Sequence, residues 1–115
     1  MKKIMLILLM IFTALYTTTL FAHPPKDILI TFDKETSTLK VDIIHDVKDP
    51  ITHHIDKVIV SLNGNAIITQ LSTTQTDKND DKLIYVIPAA VKGDKIEVKA
   101  YCNISGALKK EILLK

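Results

Sequence analysis

From residue 28 onward, apolar positions recur at every second residue rather than in the threes and fours of a helix, and the runs are short. Ile28 to Phe32 is the first run, closed by the polar stretch Asp33 to Ser37. Leu39, Val41 and Ile43 share one face of a second run, with Lys40, Asp42 and Ile44 on the other. Lys57 to Leu62 puts Val58, Val60 and Leu62 on one face. Asn63-Gly64 follows, and both residue types accept the positive φ of a type I′ hairpin. Ala66 to Leu71 is the predicted return strand, and Leu83 to Ile87 a fifth strand stopped by Pro88. Lys95 to Cys102 alternates with Ile96, Val98, Ala100 and Cys102 on one side, and Leu108 to Leu114 is the last run.

About seven short strands in one small domain predict an all-β fold, an immunoglobulin-like antiparallel β-sandwich. The segment Ser72 to Lys82 reads as a solvated polar loop; its Asp77, Asp80 and Asp81 lack the spacing of a known calcium loop. The N-terminal residues have another character. Lys2 and Lys3 precede an apolar run, Ile4 to Phe21, and small Ala22 closes a cleavage-type ending. We therefore expect a signal peptide over residues 1–22, a β-domain over 23–115, and export to the periplasm or beyond. The alternative is an uncut anchor, against which stand the threonines in the run and the lack of a following stop-transfer cluster. With cleavage, no membrane attachment remains.

Charge narrows the partners. Removing Lys2 and Lys3 takes the basic residues from 15 to 13, equal to the 13 acidic ones. A neutral domain lacks the basic face that nucleic acid requires. The one cysteine, Cys102, excludes an internal disulfide. A free thiol outside the cytoplasm is exposed to oxidation unless it is held, for instance as a metal-bound thiolate.

The chemistry-bearing residues are His23, His45, His53, His54 and Cys102. Singly, each has a plain explanation: a chain end, a strand end, loop surface, a small core filler. The topology changes that. In an immunoglobulin-like sandwich the second and sixth strands run in the same direction in opposite sheets. His45 continues the row Leu39, Val41, Ile43 and Cys102 the row Ile96, Val98, Ala100, so both close their strands at one pole. His53, His54 and the chain start belong to the same pole. Neighbouring residues on extended backbone face opposite ways, so only one of His53 and His54 can face it. Imidazole and thiolate together suit iron, copper or zinc.

Three motifs resemble the iron-binding domain of the superoxide reductases, the neelaredoxin and desulfoferrodoxin group. His23-Pro24-Pro25 is similar to the family's early His-x-Pro. His45, then His53-His54-Ile55, is similar to its middle stretch of histidines. Tyr101-Cys102-Asn103-Ile104-Ser105-Gly106 is similar to its terminal Cys-Asn-x-His-Gly. The resemblance implies a mononuclear iron site (Fe2+/Fe3+) held by His23, His45, His53 and the Cys102 thiolate, with an open position for superoxide opposite the sulfur. It implies oxidoreductase activity fed by an electron donor that the sequence does not name. Three departures stand out. Ser105 takes the place of the family's last histidine. Asp46 replaces a proline in a middle motif two residues longer than usual. The charged pair before the early histidine is absent. Two other functions are compatible with the residues. One is a periplasmic copper carrier using His23 as the mature N-terminus; the other is a non-metal interaction module. Under any of these functions the chain is compatible with a homo-oligomer.

Overall fold

The computed structural model describes residues 23–115; the expected signal peptide lies outside them. Seven antiparallel strands form two sheets. They are β1 (Asp27–Asp33), β2 (Thr38–Ile44), β3 (Ile55–Leu62), β4 (Asn65–Leu71), β5 (Asp80–Val86), β6 (Lys95–Cys102) and β7 (Ala107–Leu113). The first sheet has the order β1-β2-β5 and the second β4-β3-β6-β7. The alternation of the sequence is the alternation of burial. Leu39, Val41 and Ile43 on β2, and Ile96, Val98 and Ala100 on β6, are each at most 2 % exposed. With Ile28, Ile55, Val58 and Val60 they form one apolar cluster drawn from both sheets. Withdrawing these side chains from water is the main driving force for the fold.

Turn chemistry sets the registers. Asn63 (φ 50°) and Gly64 (φ 84°) are both left-handed, as the type I′ hairpin between β3 and β4 demands. β3 carries an irregularity that alternation does not announce. Ile55 is opposite Cys102 and Lys57 opposite Tyr101, so Asp56 is an extra, bulged residue. Counting back in twos from Val58 would aim Asp56 at the core. The bulge reverses the parity and buries Ile55 instead, with no solvent exposure.

The other boundaries fall within one or two residues of expectation, and the largest difference is at the fifth strand. β5 begins at Asp80, three residues early, and the segment before it is not simply solvated. Gln75, Asp80 and Asp81 are buried. Asp81 accepts hydrogen bonds from the Thr76 backbone N–H and hydroxyl, both 3.1 Å, and burial still raises its pKa. Asp80 pairs with Lys82, which lowers its own. Local polarity suggested a loop, but partners elsewhere in the segment make burial tolerable.

Candidate metal centre

Each histidine of the cluster is delivered by a different piece of backbone. His45 follows the last residue of β2, stays in phase with Ile43 and Val41, and has no solvent exposure. Its N–H donates to Asn79 O (3.0 Å), which extends the β2–β5 pairing by one step. His53 closes a turn in which its N–H donates to Asp49 O (3.0 Å), while the Asp49 carboxylate accepts from Ile51 N–H (2.9 Å). His23 sits on the exposed approach to β1 and is carried by Pro24, which rests on Gly106.

The three imidazoles meet. Ring centroids are 5.0 Å apart for His23–His45, 5.1 Å for His23–His53 and 4.8 Å for His45–His53. Their candidate ligand nitrogens all lie within 4.8 Å of one another, and no other such group occurs among the described residues. This His-based cluster is able to chelate a metal ion. Nitrogens sharing one first-row metal stand at most about 4.2 Å apart; His23 is the exposed member of the three.

Cys102 adjoins the cluster on one side. Its sulfur lies 3.2 Å from His53 Nε2 and the residue is 7 % exposed, but it is not within the mutually close set of three. His54, by contrast, is not a member of the cluster and is itself buried, with Nδ1 lacking a hydrogen-bond partner. Ser105 is exposed in the turn after β6.

The turn after β6 organises the rest. Asn103 Oδ1 accepts from His54 N–H (2.9 Å), its Nδ2 donates to Thr52 O (3.0 Å), and its own N–H donates to His54 O (2.9 Å). One side chain thus straps the 52–54 segment to β6 and holds His53 over Cys102. Gly106 (φ 85°) closes the turn. A Cβ there would stand 2.9 Å from Pro24 Cβ, so only glycine lets the residue beside His23 approach so closely.

Electrostatics favour the ligand form of His53. Burial, then the neighbouring His45, His23 and His54, lowers its pKa, so the ring is more often neutral at a given pH. An open depression lined by His23, Asp46, Lys48, Asp49, Thr52 and His53 leads from solvent to the cluster.

Sequence reasoning passed over Gln75. This residue is 3 % exposed and hydrogen-bonded to His45, 30 positions away. Nothing in the composition of its polar segment distinguishes it; only the buried partner does. Comparison with protein-family models, curated proteins and solved structures finds no match.

Proposed function

We propose that this protein is an exported, superoxide-reductase-like mononuclear iron protein, with His23, His45, His53 and the Cys102 thiolate as its ligands. One observation carries the reading. Imidazoles from the chain start, the end of β2 and the following loop converge, and a buried sulfur touches one of them. The donor set is borderline-to-soft, which fits iron and also copper or zinc. Three positions of the terminal motif support the resemblance, Ser105 being the exception: Cys102 supplies the sulfur, Asn103 the strap, and Gly106 the room for Pro24. The immunoglobulin-like sandwich belongs to the same proposal, supported by the apolar cluster shared between the two sheets.

Bound iron would supply the single electron that, with two protons, turns superoxide into hydrogen peroxide, and an external donor would restore that electron. The chain contributes the rest. Burial lowers the pKa of His53 and so favours its neutral ring. Asn103 fixes the approach of His53 to the sulfur, and the depression over Thr52 and Lys48 admits a small ligand. Ser105, exposed and neutral, is a poor ligand, so the protein supplies three nitrogens and one sulfur.

Elemental analysis and absorption spectra of the reduced and oxidised protein test this. We expect about one iron per chain and a sulfur-to-iron band that disappears in Cys102→Ser. Protein isolated and reconstituted without any retained metal would overturn the reading. Copper in place of iron would favour the second reading, a copper carrier, which the mutual closeness of three imidazoles without the sulfur also suits.

A further inference from the structure

Gln75 sits between β4 and β5, in a segment that is otherwise mostly exposed, and its amide makes four hydrogen bonds. Nε2 donates to His45 O and to Asp77 O, both at 2.8 Å. Oε1 accepts from Ile55 N–H at 3.3 Å and lies 2.8 Å from His45 Nδ1. These partners determine which end of the amide is which. Turned over, the oxygen would face two carbonyl oxygens and the NH2 group would face an N–H. The oxygen therefore faces His45, and an amide oxygen only accepts. His45 Nδ1 must carry the proton in this bond, which leaves the lone pair of the neutral ring on Nε2.

That lone pair is on the side of the ring turned to His23. His45 Nε2 is 3.3 Å from the backbone oxygen of His23, another acceptor. His23 repeats the pattern less tightly, with its Nδ1 3.1 Å from Pro24 O. An Nδ1–H donor there also leaves Nε2 free. Acceptors brought face to face without a donor between them suit a cation.

We propose that Gln75 is a positioning residue: it locks His45 in the Nδ1–H tautomer and so presents Nε2 as a preformed ligand to a divalent metal. The role at the metal rests on the metal-site reading above; the tautomer does not. Gln75 also binds the end of β2 and the start of β3 to its own segment, so its loss would loosen the site as well as free the ring.

The test separates these effects. Long-range nitrogen-15 NMR of the metal-free protein at pH 8 should show His45 protonated at Nδ1, and the opposite tautomer would overturn the proposal whatever the variants do. Gln75→Met removes acceptor and donors; we expect Co2+ affinity to fall by about ten- to a hundred-fold. Gln75→Glu keeps an acceptor for Nδ1–H but loses two donor bonds; it should lose stability while retaining the tautomer and most of the affinity. A folded Gln75→Met with wild-type Co2+ affinity would refute the positioning role. If Gln75→Met does not fold, the wild-type tautomer and Gln75→Glu decide. Wild-type protein that binds no Co2+ would instead sink the metal-site reading, leaving the tautomer result to stand or fall by its own spectrum.

Discussion

The two ends of the β3–β6 pair are built with the same device and put to different use. At the Leu62–Ile96 end, Asn63 is the strap. Its Nδ2 donates to Asp94 Oδ1 (3.0 Å), its Oδ1 accepts from Lys95 N–H (2.9 Å), and the other Asp94 oxygen accepts from Val91 N–H (2.9 Å). Donors and acceptors match there, and the corner is merely closed. At the Ile55–Cys102 end, Asn103 straps the backbone in the same way, but the side chains gathered above it are imidazoles and a thiol. The three rings face one another, with the Cys102 sulfur beside His53 and the His23 backbone oxygen beside His45. A corner with matched polar atoms is finished structure. A corner where three imidazoles converge is able to chelate a metal ion.

The sharpest way to break this comparison is His45→Ala. His45 is fully buried and its loss leaves a cavity and takes one of the four hydrogen bonds of Gln75, so we expect about 3 kcal/mol of destabilisation. Metal binding should vanish as well. Chemical denaturation and metal titration of the same sample check both, and a stable variant that still binds metal would remove His45 from the site.

A glycine pair comes next. Gly64→Ala meets open space and should cost about 1–2 kcal/mol for the left-handed backbone alone. Gly106→Ala adds a collision with Pro24 and should cost more, and it should weaken metal binding by displacing His23. Equal costs, with binding intact in both, would mean that Pro24 does not position the cluster.

The asparagine pair is expected to be split in function, and Asn63→Ala also carries the cost of the left-handed backbone at residue 63 (φ 50°). Asn63→Ala and Asn103→Ala each remove two side-chain hydrogen bonds, about 1–2 kcal/mol in all. Only Asn103→Ala should lower metal affinity. Should Asn63→Ala lower it equally, the two corners are not functionally distinct.

The smallest effect is a pH dependence confined to the histidine end. The folded-state pKa of His53 is depressed, chiefly by burial, so the unfolded chain takes up a proton more readily. The stability it contributes is present above the ordinary histidine value of about 6.5 and is lost as pH falls through the folded pKa. Metal-free protein should therefore weaken on acidification below about pH 6.5. His53→Gln should flatten that slope, while Asn63→Ala should leave it unchanged. Denaturant midpoints across pH 5 to 7.5 would show it.

Much of this was written in the chain itself. Short apolar runs, mostly alternating, and the turns between them located all seven strands, because burying one face of a sheet leaves the opposite face polar. Asn63-Gly64 announced its hairpin through a local backbone preference. His45 and Cys102 were legible because they continue apolar rows whose phase is set by the strands before them. Three things were decided only in three dimensions. The bulge at Asp56 reverses the phase of β3 ahead of Val58, and no residue there signals it. Asp80 and Asp81 read as loop because their own polarity is all that a local reading sees, whereas burial depends on Thr76 and Lys82. Gln75 is the clearest case. A buried amide is defined by its partners, and those on His45, Ile55 and Asp77 come together only once both sheets are formed. Local periodicity settles which face of a strand is apolar; the pairing of polar atoms across distant segments is a property of the folded chain.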